Sequence, residues 1–346
     1  MTTEWAIPLH SKGEVDRAGR ALLDDALGRS DRSSAVSVVN NWRAAHGFPL
    51  NTLQVNLRDK ARAVDSEALV AQRTKRLPSI VGKLRDRPDM RLSRMQDIGG
   101  CRAVVSSIDA VDDLVNRWLT GRHKHRLIRH DDYIAGPKAT GYRGHHLVYR
   151  YFSDRKKTYN GQSIEIQIRT KLQHTWATSV ETAAMFTRQA LKSSRGDADW
   201  LEFFALMSSE IARTENSPHV EGSPGSRREL RKEIKRRAEK IDVLNRLSIY
   251  SETLQHLDFV ESRAGHRFFV LDLNLPVDGE PILYVHSGSN LQEATTLYDE
   301  LEIDDSVPRD VVLVSVDAVT SLRRAFPNYY ADTGLFRDLV REAITF

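Results

Sequence analysis

Cysteine and long hydrophobic runs are almost missing from this sequence. Cys101 is the single cysteine in 346 residues, which excludes an internal disulfide framework and a cysteine-based zinc site. No stretch comes near the roughly 18 uncharged apolar residues that a membrane-spanning helix needs, and the first residues contain no apolar signal-peptide core. We therefore expect a protein of the reducing cytoplasm with no membrane partner.

Two common nucleotide-binding patterns are also missing. The sequence contains neither a GxxxxGK[ST] phosphate loop nor a GxGxxG dinucleotide motif after a predicted strand. Internal repeats and low-complexity tracts are absent as well. A nucleotide enzyme with this sequence would therefore need a different kind of phosphate site.

Charge is unevenly distributed along the chain. The net charge is +4, but residues 258–346 hold 16 Asp or Glu against 7 Arg and carry −9, which leaves +13 on residues 1–257. A basic first part suggests polyanionic ligands. The acidic last part could bind that basic surface or form an ordinary domain, and charge that is merely solvated is an alternative for both parts.

The spacing of apolar residues predicts both helices and strands. We predict a helix over residues 14–45, a break at HGFPLN (46–51) and a second helix over residues 52–70. Ser79, after Pro78, is expected to cap a short helix. Further patterns predict strands at 101–108, 145–154 and 162–170, helices at 109–119 and 171–191, and a hairpin through Asn160 and Gly161. This order indicates an α+β fold.

The last third of the sequence begins with a linker. Residues 215–226 are rich in Gly, Pro and Ser, and Ser226 and Glu229 then form a capping box. The helix that follows has eight basic and three acidic residues over 227–240, so its basic face touches either nucleic acid or solvent. Its apolar seam consists of Leu230, Ile234, Ile241 and Leu244. From residue 258 the segments FFVLDLNL, PILYVHS and VVLVSV, separated by helical segments, predict a small α/β domain.

A basic segment and an acidic residue lie close together in the first part. The cations are Arg73, Lys75, Lys83 and Arg102, and Ser79 lies among them. Guanidinium forks and lysine point charges are typical of phosphate clamps. Asp97, before two glycines and a predicted strand, is suited to holding Mg²⁺ on a nucleotide. A solvated or RNA-binding basic face, with Asp97 paired to Arg94 or Arg102, explains the same residues.

The strand IEIQIRT (164–170) has one apolar and one polar face. Isoleucines at 164, 166 and 168 alternate with Glu165, Gln167 and Arg169. Solvation explains the polar face, and so does a binding floor for a charged substrate. In the second case Glu165 could join Asp97 on a metal or accept a proton from an attacking hydroxyl.

The segment YIAGPKATGYRGHHL (133–147) predicts an irregular loop because of its proline and glycines. Tyr142 is either an exposed stacking platform or a packed loop aromatic. Hydrogen-bond donors are added by Lys138, Arg143 and His146.

Four of these motifs together resemble the RelA/SpoT alarmone synthetase family. They are RTKRLPSIVGK, DIGGCR, YIAGPKATGYRGHH and EIQIRTKLQHTWA, in this order, and the similar part covers roughly residues 50–190. The resemblance implies a nucleotidyltransferase-like mixed sheet flanked by helices. It also implies a pyrophosphokinase that moves the β,γ-pyrophosphate of ATP to the 3′-hydroxyl of GTP or GDP, which makes (p)ppGpp.

The resemblance also implies a role for each matching residue. Arg73 and Arg102 would sandwich adenine, and Lys75, Ser79 and Lys83 would hold the ATP phosphates. Asp97 and Glu165 would bind Mg²⁺, with Glu165 also a base for the acceptor hydroxyl. The acceptor would be held by Lys138, Tyr142, His146 and Gln167. Together with the composition and charge of the chain, this predicts five domains or segments. They are an N-terminal helical region (1–50), the synthetase domain (51–214), the linker (215–226), the basic helical segment (227–257) and the acidic domain (258–346).

Two departures from the family pattern keep other functions open. Thr140 stands where many members have the Asn that helps to read guanine, and WATSVET stands where many end in Glu-His. A toxic branch of the family pyrophosphorylates the 3′ CCA end of tRNA, and some members carry a C-terminal antitoxin-like domain. We therefore keep two alternatives, a toxic synthetase restrained by residues 258–346 and an inactive nucleotide- or RNA-binding module. A homo-oligomer and a protein trigger acting on residues 258–346 are further expectations.

Overall fold

A computed structural model describes residues 5–187, 198–244, 247, 268–274, 282–288, 291–304, 309–315 and 334–345. The chain divides into two compact units. The first unit comprises residues 1–103, 112–131 and 146–168, and the second comprises 104–111, 132–145 and 169–346. In the part of the chain that the structure describes, no helix has the length and apolar character needed to cross a membrane.

Three helices open the chain, and their boundaries differ from the prediction. They are α1 (Lys12–Ala21), α2 (Arg29–Ala45) and α3 (Gly47–Val64). The single helix predicted over 14–45 is wrong, because the Asp24 carboxylate accepts a hydrogen bond from the Ala26 N–H at 2.9 Å and forms a local turn. The break predicted at HGFPLN is confirmed at His46, which lies between α2 and α3, but it is shorter than predicted. Residues 47–51 are helical because Pro49 lies in the first turn of α3, where a missing N–H is not needed. The same helix ends at Val64, short of the predicted residue 70.

Five strands form one sheet in the order β1-β2-β5-β4-β3. They are β1 (Leu69–Thr74), β2 (Gly99–Val105), β3 (Arg126–Asp132), β4 (His145–Arg150) and β5 (Ser163–Thr170). The strands predicted near β2, β4 and β5 are confirmed, whereas the two edge strands β1 and β3 were not predicted. The predicted hairpin joins β4 and β5 through residues 151–162, with Gly161 at φ +92°.

Helices flank this sheet, which confirms the α+β prediction. They are α4 (Leu77–Asp86), α5 (Ile108–Leu119) and α6 (Lys171–Thr187). Arg76 is the N-cap residue of α4 and Pro78 lies in its first turn, so Ser79 is inside the helix and the prediction that it caps the helix is wrong. The predicted end of α6 at residue 191 lies outside the described residues.

A helical core lies in the second unit. It is built by α6 with α7 (Ala198–Thr214), α8 (Arg227–Lys240) and α10 (Gly334–Ile344). The predicted seam of α8 is confirmed at Leu230 and Ile234, which are fully buried, and Ser226 caps the helix by accepting from the Glu229 N–H. Phe336 of α10 stacks on Phe204 of α7, with ring centroids 5.6 Å apart. The last helix of the chain is therefore part of this core.

The small acidic part contains three of the predicted strands. They are β6 (Phe268–Asn274), β7 (Ile282–Gly288) and β8 (Arg309–Ser315), and the helix α9 is Leu291–Ile303. The strand β6 lies in the centre and is antiparallel to both neighbours. Its small core is Val270 with Ala294 and Tyr298 of α9. The predicted turn VDGE and the helix AVTSLRRAF lie outside the described residues, and the domain boundaries stay predictions.

Candidate active site

Two lysines and one carboxylate meet next to the sheet in the first unit. Lys75 follows β1, Lys83 lies on α4, and Asp97 precedes β2. The Lys75 Nζ is 3.0 Å from Asp97 Oδ2, and the Lys83 Nζ is 2.9 Å from Oδ1. The partners of Asp97 are therefore these two lysines, and the alternative of a pair with Arg94 or Arg102 is wrong.

Backbone contacts fix Lys75 in this position. Its N–H donates to the carbonyl of Ile98 at 2.7 Å, which ties the residue after β1 to the start of β2. Its own carbonyl accepts from the Nε of Arg43 on α2 at 2.8 Å. The sequence gives no signal for Arg43, because nothing local in α2 marks a contact with a residue 32 positions away.

Burial and charge oppose each other in this cluster. Burial raises the pKa of the Asp97 carboxyl, but Lys75 and Lys83 outweigh it, and the pKa ends below its usual range. Burial lowers the pKa of the Lys75 ammonium more than Asp97 raises it. Asp97 is therefore ionised at neutral pH and neutralises cations that the protein partly removes from water.

A second cluster surrounds Glu165 on β5. The His146 Nδ1 of the neighbouring strand β4 donates to Glu165 Oε1 at 2.9 Å, and the Gln167 Nε2 donates to Oε2 at 2.7 Å. The predicted alternation is confirmed from Ser163 to Ile168, with isoleucines fully buried and Glu165 and Gln167 partly exposed. Arg169 departs from it and is buried.

Several neighbours, Asp97 among them, shift the pKa of Glu165. Burial raises the pKa of Glu165 and so does the charge of Asp97, but the hydrogen bond and charge of His146, together with Gln167, lower it below its usual range. Among the residues that the structure describes, no three His, Cys, Asp or Glu side chains form a metal-holding group. Two carboxylates suit Mg²⁺ bound jointly with substrate phosphates, because this ion usually takes one or two protein carboxylates.

The remaining predicted ATP-binding residues lie on the same elements. Arg73 is on β1 and Arg102 is on the adjacent strand β2, and both are half-buried. Ser79 and Lys83 are four residues apart on α4 and therefore share one helix face. These positions leave the adenine sandwich and the phosphate clamp as predictions.

The predicted acceptor loop, residues 133–144, lies in the second unit and folds on itself. Its ends are joined where the Tyr133 N–H donates to the Gly144 carbonyl at 3.0 Å. The Lys138 Nζ lies 4.3 Å from the centre of the Tyr133 ring and 5.1 Å from that of Tyr142. Tyr142 is half-buried and also packs against the helical core. Lys138 and Tyr142 are thus brought together by a cation–π contact.

Helix α7 supports this loop through Ser208. The Ser208 hydroxyl donates to the carbonyl of Gly141 at 2.6 Å and accepts from the Nε of Arg143 at 2.9 Å. Arg143 is buried, and burial lowers the pKa of its guanidinium to about 10. It therefore anchors the loop from inside and is not the surface donor that the sequence suggested. Ser208 had no signal in the sequence.

The basic helix α8 uses several of its cations within the protein. Arg227 and Arg231 both contact the Glu210 carboxylate of α7 at 2.8 Å. Arg237 contacts Asp199 and Glu202 of the same helix. Lys240 also contacts Asp199, so four of the eight basic residues of α8 bind carboxylates of α7. The predicted alternatives for this face, nucleic acid or solvent, therefore do not describe half of its cations, which hold α8 on α7.

Comparison with known proteins gives one family match. Residues 72–190 match the family model described as a region found in RelA / SpoT proteins. Over 114 residues the chain is 36% identical to the GTP pyrophosphokinase YjbM of Bacillus subtilis strain 168. The aligned part is 32% of this chain and 52% of the relative, so the chain spans about half the length of that protein.

Solved structures overlap about half of the chain. Small alarmone synthetase 1 from Bacillus subtilis, bound to its product pppGpp, is 26% identical, covers 49% of this chain and 89% of its own, and has a TM-score of 0.42. A GTP pyrophosphokinase family protein from Streptococcus pneumoniae is 26% identical, covers 49% and 87%, and has a TM-score of 0.41. Small alarmone synthetase 2 from Bacillus subtilis is 24% identical, covers 51% and 92%, and has a TM-score of 0.42.

Proposed function

Because residues 72–190 match the family model described as a region found in RelA / SpoT proteins, we propose that the protein is an ATP-dependent pyrophosphokinase. It transfers the β,γ-pyrophosphate of ATP to the 3′-hydroxyl of GTP or GDP and makes (p)ppGpp. The observation that supports this most directly is that Lys75 and Lys83 both contact the Asp97 carboxylate. Glu165, whose lowered pKa keeps it ionised, lies in the same unit.

The reaction needs alignment and charge more than covalent help. The 3′-oxygen of the acceptor attacks the β-phosphorus of ATP, the bond from that phosphorus to the oxygen bridging the α-phosphate breaks, and AMP leaves. Glu165 takes the proton of the attacking hydroxyl. Its lowered pKa keeps it deprotonated at neutral pH, which is the state that this role requires.

The ATP side uses the cations of the first cluster. Lys75, Lys83 and Ser79 bind the phosphates, and Arg73 and Arg102 enclose the adenine. The two ammonium groups contact the Asp97 carboxylate. Phosphate oxygens of ATP would replace that carboxylate, so that the buried ammonium groups would keep an anionic partner.

Mg²⁺ is the metal that these residues fit, and Asp97 and Glu165 would hold it. It would neutralise charge on the transferred phosphates. The release of Asp97 from its lysines when ATP binds makes its oxygens available at the moment the phosphates arrive.

On the acceptor side we assign Tyr142 to stacking on guanine and Lys138 to its phosphates. Lys138 already lies over the Tyr142 ring, so a guanine would replace the ammonium group there. His146 and Gln167 both bind Glu165, so they orient the base as well as contacting the acceptor.

A toxic enzyme that pyrophosphorylates the 3′ end of tRNA is the second candidate. Thr140 in place of the guanine-reading Asn favours it. An inactive binding module is disfavoured because both carboxylates and every predicted cation are present. A cytoplasmic location, a homo-oligomer and a protein trigger on residues 258–346 are proposed alongside.

One assay separates these candidates. Purified full chain with Mg²⁺ and ATP labelled at the γ-phosphate is offered GTP, GDP or total tRNA in parallel. We expect label on the guanine nucleotide. Label on tRNA alone would establish the second candidate. Label on no acceptor, both in the full chain and in a variant whose residues 258–346 are disrupted, would contradict both candidates.

A further inference from the structure

A pocket in the first unit lies outside the lysine–aspartate cluster. It is formed by the opening turn of α1, the segment before β2 and the ends of the β4–β5 hairpin, and its volume is about 580 Å³. This volume falls in the range of small-ligand sites. The side chains used below are Lys12, Asp16, Arg91, Ser93, Arg94 and Arg150. Neither Lys75 nor Lys83 lines it.

The pocket has an excess of positive charge. Lys12, Arg91, Arg94 and Arg150 are exposed, and none of the four is in ion-pair contact with a carboxylate of the described residues. Asp16 is the only acidic residue in the lining. Its two carboxylate oxygens accept from the N–H of Ser93 at 2.8 Å and from the Ser93 hydroxyl at 3.0 Å.

This arrangement contrasts with the arginines of α8. Arg227, Arg231 and Arg237 all have carboxylate partners from α7. Four cations that share one pocket without such partners repel one another. An anion with several negative charges would offset the repulsion among the four cations. A ligand with one carboxylate would neutralise only one of them and leave most of the repulsion in place.

Phosphate is the anion that best matches these donors. Three guanidinium groups, two from the segment before β2 and one from the end of β4, each offer a planar fork for two phosphate oxygens. Gln96 and Ser163 add uncharged polar groups to the lining. Ser163 is two residues before Glu165 on β5, so both side chains face the same side of the sheet.

We propose that this pocket binds the phosphate groups of a polyphosphate or phosphodiester ligand through Arg91, Arg94, Arg150 and Lys12. A nucleoside polyphosphate and a single-stranded RNA backbone both offer this chemistry. The proposal concerns binding and does not depend on the reaction assigned to the candidate active site.

The test measures binding of inorganic tripolyphosphate to the full chain by calorimetry. Every protein in this comparison carries Lys83→Met as a common background substitution. It weakens the proposed ATP clamp, while Lys75 remains as a partner for Asp97. On this background we expect tripolyphosphate to bind, and Arg91→Ala/Arg94→Ala to raise its Kd at least about tenfold. Both arginines are exposed, so the thermal unfolding midpoint should match that of the parent.

A matched control removes the same charge elsewhere. Arg29→Ala/Arg32→Ala on α2 deletes two arginines that do not line the pocket and should change the Kd by less than about threefold. An equal loss in both double variants would reduce the effect to net charge and overturn the site. Absence of binding on the Lys83→Met background would overturn it as well.

Competition then identifies the source of the phosphates. Displacement of tripolyphosphate by a short oligoribonucleotide without a 5′-phosphate identifies the RNA backbone, and displacement by GTP alone identifies a nucleoside polyphosphate. Displacement by neither overturns the assignment. Loss of pyrophosphate transfer in Lys83→Met, by contrast, bears only on the proposed reaction.

Discussion

Asp97 is the residue on which the proposed reaction depends most directly, because both clamp lysines contact its carboxylate. Asp97→Asn keeps the size of the side chain and removes its charge. We expect pyrophosphate transfer to fall at least about 100-fold, since the proposed metal loses a charged ligand. The measurement is the initial rate of label transfer at saturating ATP.

The control for this change is another aspartate. Asp113→Asn removes the charge of an exposed residue that pairs with Arg117 on α5, and wild-type turnover is expected there. Turnover of Asp97→Asn within a few fold of that control would remove Asp97 from the reaction.

His146 provides a pH-dependent test of the base. His146 lowers the pKa of Glu165 against burial and the charge of Asp97. His146→Ala therefore raises that pKa, and because ionised Glu165 is the active form, the acidic limb of the kcat/KM profile moves to higher pH. Gln167→Ala removes a weaker lowering contact and should move the limb less.

The pH profile also separates two roles of His146. If His146 served only to hold the acceptor, His146→Ala would lower kcat/KM equally at every pH, and the acidic limb would not move. His146→Gln, which restores a neutral donor, should bring the limb part of the way back.

For single residues, the sequence predicted which side chains belong to the candidate site better than it predicted which residues they contact. Asp97 and Glu165 could be selected from their motifs, because local pattern and family resemblance mark them. The pairing of Asp97 with Lys75 joins residues 22 positions apart, and the Ser208–Gly141 bond joins residues 67 apart. Such contacts depend on how elements pack, which no local pattern records.

Among elements, those with a buried alternating face were predicted and the edge strands were not. β5 alternates between fully buried and partly exposed residues from Ser163 to Ile168, and the same period is visible in its sequence. β1 and β3 lie at the two edges of the sheet, and every residue of β1 is partly or fully exposed. Their sequences, LVAQRT and RLIRHDD, therefore lack the strong apolar period on which strand prediction depends.

The acceptor loop packs directly on α7 at Gly141, whose carbonyl accepts from Ser208. A substitution at Gly141 therefore tests whether this packing positions the acceptor. The φ of Gly141 is +90°, and a Cβ there would lie 2.8 Å from the Ser208 Cβ and 3.0 Å from the Trp176 ring. Gly141→Ala therefore has to shift the loop. We expect the KM for the guanine acceptor to rise at least about tenfold, while binding of a non-hydrolysable ATP analogue stays unchanged.

Gly136 is the matched control in the same loop. A Cβ at that position would meet only the Asp132 carbonyl at 3.7 Å, an ordinary contact. Gly136→Ala should therefore keep the wild-type KM for the acceptor. An unchanged KM in Gly141→Ala, or an equal loss of ATP-analogue binding, would contradict the assignment of this loop to the acceptor.

For the whole molecule, the charge difference between residues 1–257 and 258–346 motivates an autoinhibition hypothesis, in which the acidic part restrains the enzyme. Removing residues 258–346 is a poor test of it, because that deletion also removes α10. Phe336 of α10 is fully buried against α7. A truncated chain would expose this core, so lost activity would reflect damage to the fold.

Two point variants separate restraint from folding. Val270→Asp places a charge in the small core of β6 and α9 and should unfold that sheet while the α10 core remains. Under autoinhibition its turnover exceeds that of wild type, and high salt produces part of the same rise in the unmodified chain.

Phe336→Ala is the opposite case, because it leaves the small sheet intact and opens a cavity in the helical core, at a cost of about 3–5 kcal/mol in the free energy of unfolding. Its turnover and thermal midpoint should both fall, since α7 carries the Ser208 contact to the acceptor loop. Turnover of Val270→Asp equal to wild type would end the autoinhibition hypothesis. If both variants lost activity, the acidic part would instead stabilise the synthetase fold. Damage to either the β6–α9 core or the helical core would then lower the same turnover, because both cores would contribute to the stability that the enzyme needs.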